Sequence, residues 1–168
     1  MRFPVEAILM KLILGAGSKR HEGWTSLDKM PSVNPDIIHD LSVYPWPIES
    51  DSVDEFNASH VLEHVVEQGK EEQFFAFFNE LWRICKHGAT GLIIVPDAQK
   101  SGAFSDPGHK SFYSRGIFNF ISKISMASNK ASGTHCTEYP LESDFNLTQV
   151  VQINEDIHCA VQAVKREM

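Results

Sequence analysis

The apolar positions of this chain fall first into short runs and only later into helical stripes. Lys11-Leu12-Ile13-Leu14 is an apolar run that ends in Gly15-Ala16-Gly17. A short apolar run closed by glycine reads as a buried parallel strand. Trp24 to Asp28 and Asp36 to Leu41 read as second and third strands. Tyr44-Pro45-Trp46-Pro47 is loop, because two prolines cannot sit in a central strand. Val53 to Ser59 sets Val53, Glu55 and Asn57 against Asp54, Phe56 and Ala58, an imperfect alternation that still predicts a fourth strand.

The period changes at Glu71. Phe74, Phe78, Leu81 and Cys85 share one helical face, and Phe75, Phe77, Trp82 and Ile84 widen it. So wide a face predicts cover on two sides, by the sheet and by another element or a second subunit of a homodimer. Acidic residues open this helix at Glu71, and Lys86-His87-Gly88 is read as its end. Gly91 to Pro96 is the clearest buried strand. A helix is expected near Ser114 to Ser125, followed by an irregular, mobile Ser/Asn/Gly-rich stretch. Phe145 to Ile153 and His158 to Lys165 flank Asn154-Glu155-Asp156 and predict a hairpin. The order predicts an α/β fold, mostly parallel, with a C-terminal antiparallel hairpin and few helices.

Composition narrows the picture. A chain of 168 residues fits a single domain, 1–168, and 42% hydrophobic content supports a packed core without disulfides or metal. The formal charge of -7, with no Lys/Arg-rich run, argues against a nucleic-acid partner. The apolar stretch from Ala7 to Leu14 is interrupted by Lys11 and is far shorter than a membrane span of ~20 residues. No membrane association is expected. Met10 could serve as a start, leaving residues 1–9 as a dispensable leader. Cys85, Cys136 and Cys159 are odd in number and form no C-x-x-C pair, which suits a reduced, cytoplasmic setting.

Ligand-competent groups recur at the strand ends. Gly15 and Gly17 let a ligand approach the backbone, although Arg20 stands where a third glycine would complete G-x-G-x-x-G. Asp28 ends the second strand, where a carboxylate can accept hydrogen bonds from ribose hydroxyls. Asp40 ends the third, beside Leu41, where it could accept from an exocyclic amine. Either aspartate could instead initiate a turn. Open α/β sheets bind ligands at the carboxyl ends of their strands. His60-Val61-Leu62-Glu63-His64 matches H-x-x-E-H. As a zinc hydrolase motif it would use His60 and His64 as ligands and Glu63 as base, with Glu138 or Glu142 as third ligand. The rival is a strand-to-helix junction with Ser59 and His60 facing the ligand crevice. The rival is preferred, and no metal site is expected.

The order of these blocks resembles class I S-adenosylmethionine-dependent methyltransferases. It is similar to short bacterial members that open with K-L-N-L-G-C-G, here Lys11 to Gly17. They continue with G-W-x-N-x-D (Gly23 to Asp28), D-x-x-x-D-L (Asp36 to Leu41) and D-x-x-x-A-S-H-V-L-E-H (Asp54 to His64). Cys85 to Val95 and Asp106 to Phe112 complete the series. The resemblance covers residues 10–120 and implies a three-layer Rossmann-like sheet. It implies S-adenosylmethionine as cofactor, with Gly15, Ala16 and Gly17 under its methionine part. Asp28 would hold the ribose, Asp40 and Leu41 the adenine, and Ser59 and His60 the sulfonium side.

The chain departs from that pattern in three places. Ile13 replaces the usual acid or asparagine and removes a polar contact. Cys85 to Ala89 lacks the usual proline and second glycine. About ten residues join the first two strands, too few for the usual helix. A base would be needed for a hydroxyl or amine acceptor. His109 is the first candidate and His60 the second, with Phe112 and Tyr113 as possible acceptor contacts. The expected activity is methyl transfer to a small-molecule acceptor. The alternatives are a non-catalytic S-adenosylmethionine-binding domain and, remotely, the zinc hydrolase.

Overall fold

The computed structural model describes residues 9–133 and 139–165. Seven strands form one sheet: β1 (Lys11–Leu14), β2 (Trp24–Asp28), β3 (Ile37–Ile38), β4 (Val53–Ser59), β5 (Cys85–Pro96), β6 (Phe145–Ile153) and β7 (Asp156–Ala163). Their spatial order is β3-β2-β1-β4-β5-β7-β6. The first five strands pair in parallel, and β7 pairs antiparallel with both β5 and β6. This is the expected mixed sheet with a terminal hairpin. The chain runs outward from β1 through β2 to β3, then returns to β4 on the other side of β1.

The helices are α1 (Leu62–Val65), α2 (Glu71–Ile84) and α3 (Lys123–Ala131), with 3-10 turns at Pro31–Val33, Ser101–Phe104 and Arg115–Ile121. Register places Leu12, Leu14, Leu27, Phe56, Ala58, Ile93, Val95, Cys159 and Val161 on one face of the sheet. All are buried in one core cluster with Phe74, Phe77, Phe78, Leu81, Phe118 and Ile121. The opposite face carries Ile13, Asn57, Leu92 and Ala160 in one row and Lys11, Glu55, Thr90 and Gln162 in the next. None of these joins that cluster. On that side the third layer is reduced to loop 15–23, which keeps Ile13 at 5% exposure.

Three differences from the sequence reading have local causes. β3 is two residues long, because Asp36 leaves the strand to bond Ser26: its Oδ2 accepts the Ser26 N–H at 2.7 Å and hydroxyl at 2.6 Å. α2 ends at Ile84, where Cys85 turns extended (φ -71, ψ 141) and begins β5. Gly88, at φ +81, therefore belongs to an irregular stretch of β5 and does not cap the helix. The helix expected near Ser114 to Ser125 is split into the 3-10 turn Arg115–Ile121 and α3, which starts at Lys123, runs on to Ala131 and buries none of its side chains.

The broad aromatic face of α2 is covered by its own chain. Phe77 meets Trp46 at 5.4 Å, Phe75 meets Tyr139 at 4.9 Å and Phe78 meets Phe145 at 6.4 Å between ring centroids. Trp46 comes from the proline loop, and Glu80 fastens it by accepting its backbone N–H at 2.6 Å. The breadth of that face needs no second subunit.

Candidate functional site

The strand order reverses between β1 and β4, and a crevice opens at the carboxyl ends of strands at such a point. Gly15 follows β1 there, and Ser59 and His60 end and follow β4. Gly15 is required twice. Its φ is +58, and a Cβ on it would collide with the Val61 side chain. The loop is fixed by Ala16 N–H to Leu27 O (3.0 Å) and by Gly17 N–H to Asp28 Oδ2 (2.8 Å). Arg20 does the work of a missing helix. Its guanidinium donates to the carbonyls of Gly17 (3.0 Å) and Asn34 (2.7 Å), tying the glycine loop to the Pro31–Val33 turn.

Two cavities meet at Gly15. One, of about 210 Å³, is lined by Gly15, Asp28, Asp40, Leu41, His60 and His64, among others. It gathers five of the eight expected cofactor residues. Asp28 Oδ1 accepts the Met30 N–H at 2.9 Å, so each carboxylate oxygen holds one backbone donor and keeps capacity for another. Asp40 forms the turn considered for it, accepting the Ser42 N–H at 2.9 Å and hydroxyl at 2.7 Å through Oδ1. Those two bonds hold its pKa below the usual carboxylate value. Leu41 packs into the core, and its carbonyl accepts the Trp46 indole N–H at 3.1 Å.

The second cavity, of about 260 Å³, lies on the open face. Ile13, Gly15, Ala16, Asn57, Ser59, Lys19 and His21 line it, with Leu14 and Trp24. Ile13 supplies an apolar floor, and Asn57 sits beside it in register. Sequence reading missed Asn57, Lys19 and His21. The β-register of Asn57 against Ile13 was the available signal. A third cavity of about 270 Å³ lies away from the glycine loop, between Phe74, Phe75, Ile117, Phe120, Tyr113 and Tyr139.

The histidines separate. His60 adopts φ +56 before α1, so it does not share a helical face with His64. The two-histidine helix of the zinc hydrolase reading is not formed. Glu142 is held against α2 by Asn79, and Glu138 lies outside the described residues. Instead His60 Nδ1 lies 3.4 Å from Glu63 and Nε2 lies 3.5 Å from Asp156. The Glu63 carboxylate raises the His60 pKa against the lowering effect of burial, and Asp156 adds to the rise. His109 lines neither strand-end cavity. It is largely buried against His64, ring centroids 4.9 Å apart. Phe112 stacks on Phe104, while Tyr113 is buried and accepts from Ser111 at 2.7 Å.

No family model and no curated protein matches this chain. Its fold does match solved structures. A chain from a Haloferax volcanii complex containing the Trm112 methyltransferase activator superposes with TM-score 0.63 at 13% identity, covering 98% of this chain and 86% of that one. A SAM-dependent methyltransferase from Archaeoglobus fulgidus gives 0.59 at 11% identity, covering 92% and 86%. The N-methyltransferase NodS from Bradyrhizobium japonicum, solved with S-adenosylhomocysteine, gives 0.57 at 9%, covering 94% and 79%. The fold is thus the Rossmann-like fold of SAM-dependent methyltransferases, in a form with few helices. Among the described residues no helix is long and apolar enough to cross a membrane.

Proposed function

We propose that this protein binds S-adenosylmethionine and transfers its methyl group to a small-molecule acceptor. The observation that carries this reading is the meeting of two chemically different cavities at Gly15, on the switch point of the sheet. Asp28 stands in one, with spare acceptor capacity for ribose hydroxyls. Lys19 and His21 stand in the other and suit a carboxylate, while Asn57 and Ser59 suit an amino group. Asn57 would then replace the polar contact that Ile13 cannot give. The residues therefore fit the cofactor at both ends.

When bound, S-adenosylmethionine supplies a methyl group already activated on a sulfonium. The chain's task is to orient and to exclude water. Gly15, Ala16 and Gly17 offer close backbone approach. Asp40 and Leu41 would border the adenine, and Ser59 and His60 the sulfonium side. His60 is the better placed base, because it lines the cavity and His109 does not.

Calorimetry with S-adenosylhomocysteine tests the binding. We expect a single site that Asp28→Ala weakens at least about tenfold, the loss of roughly 1.4 kcal/mol. Absence of binding at millimolar ligand would end the proposal. Labelled-methyl transfer across a panel of small hydroxyl, amine and thiol acceptors tests the chemistry. Binding without transfer to any of them would favour the non-catalytic reading.

A further inference from the structure

The Glu63 side chain is fully buried, and among the described residues neither carboxylate oxygen has a hydrogen-bond partner. A bare buried carboxylate is expensive unless a positive charge meets it. His60 lies within ion-pair range of one oxygen, but its geometry makes no hydrogen bond. Two other histidines stand at the same place. His64 Nδ1 engages the Gly108 carbonyl at 3.1 Å, and His109 Nδ1 engages the Ala103 carbonyl at 2.7 Å. A ring nitrogen facing a carbonyl must carry the proton. In the neutral ring that leaves Nε2 as the lone-pair nitrogen; His109 Nε2 also lies 4.0 Å from an Asp106 oxygen. One ligand-capable atom each from Glu63, His64 and His109 lies within 4.8 Å of the others.

We propose that Glu63, His64 and His109 form a binding site for a divalent transition-metal ion of the zinc type. Two imidazoles and one carboxylate are a donor set that such ions favour over calcium or magnesium. The backbone carbonyls on the two Nδ1 atoms orient the rings, as partners of metal-bound histidines do. A cation there would complete the neutralisation that His60, 3.4 Å from one Glu63 oxygen, supplies only when protonated. Three protein ligands leave a coordination position open, and His64 also lines the Asp28 cavity. The ion would pin segment 103–110 to α1 at the wall of that cavity. This set is distinct from the His60–Glu63–His64 trio of the sequence motif, since His109 replaces His60.

The test needs no cofactor, so its outcome is independent of the methyl-transfer reading. The full chain, stripped with a chelator, is titrated with Zn²⁺ and with Co²⁺, followed by calorimetry and by cobalt absorption. We expect a single ion per chain, cobalt bands of nitrogen/oxygen ligation, and a rise in Tm on adding zinc. Glu63→Gln and His109→Ala should each weaken binding by more than about a hundredfold, beyond what loss of a supporting contact costs. His158→Gln, on the open face, should leave it unchanged. Glu63→Gln keeps the size of the side chain while removing a ligand charge, and a thermal melt of its metal-free form beside the parent keeps the variant interpretable. No ion bound tighter than about 100 μM, roughly -5.5 kcal/mol, overturns the proposal. So does zinc binding that survives both Glu63→Gln and His109→Ala.

Discussion

The two faces of the sheet are built for different surroundings. On the helix-covered face, β1, β2, β4, β5 and β7 all contribute buried apolar side chains to one core. On the other face the neighbouring rows carry Lys11, Glu55, Thr90, Gln162 and Asn57 among Ile13, Leu92 and Ala160. Lys11 pairs with Glu55 at 2.7 Å and lies over the Trp24 ring at 5.4 Å. A doubly wound parallel sheet is ordinarily apolar on both sides, because helices cover both. Here the chain has kept the helix after β4, and it joins β1 to β2 by a loop. The polar rows are what make that economy stable in water. The same omission opens the second cavity, whose floor is Ile13.

The largest expected effect lies at Phe56. Its ring is 1% exposed and fills the space that a side chain at Gly91 would need. Phe56→Ala should cost about 3–5 kcal/mol in urea unfolding. Thr90→Val, exposed on the open face, should stay within about 0.5 kcal/mol. A loss above about 2 kcal/mol at Thr90, four times the surface norm, would mean that the open face is covered in solution.

The strands of this sheet were legible where one face alone decides the pattern. β1, β2, β4, β6 and β7 lie where the apolar runs and turn residues put them. The broken alternation of β4 has a cause the sequence hides. Asp54 and Glu55 both donate their N–H to Met10 O, at 2.8 and 3.3 Å, a bulge that breaks the alternation where β4 begins. Gly88 misled because a left-handed glycine serves a bulged strand as well as a helix end. The helix read near Ser114 to Ser125 found the Arg115–Ile121 turn and the start of α3, but the rest of α3 was not readable because it buries no residue and so leaves no stripe. In the site, Gly15, Asp28, Asp40, Leu41 and His60 were readable as strand-end groups and share one cavity. The cluster of Glu63, His64 and His109 was not, because its members meet only when segment 103–110 folds back on α1.

A middle-sized effect is expected at Glu80, beneath the covered face. Burial alone would raise its pKa. Arg83, donating through Nε at 2.8 Å and NH2 at 2.7 Å, and the Trp46 N–H at 2.6 Å more than offset that, holding it below 4.5. A carboxylate with a depressed folded pKa stabilises above its unfolded value and loses that contribution as pH falls through the folded one. Glu80→Gln should therefore cost about 2 kcal/mol at neutral pH. The gap between parent and variant should close as pH drops below 4.5. A gap independent of pH would mean that the carboxylate acts by shape and not by charge.

The smallest expected effect sharpens the comparison most. Glu55 pairs with Lys11 on the open face, with side chains 39% and 35% exposed. Both groups stay hydrated, so attraction is screened and the loss of side-chain freedom offsets much of the gain. Glu55→Gln should change stability by no more than about 0.5 kcal/mol, and that change should shrink further in high salt. Glu80 and Glu55 are both glutamates paired with a cation in the same small domain. Only the helix-covered one should matter to folding. If Glu55→Gln costs as much as Glu80→Gln, and salt does not weaken the effect, then the pair is shielded from water. The open face would then have a cover in solution, and the second cavity would be closed along with it.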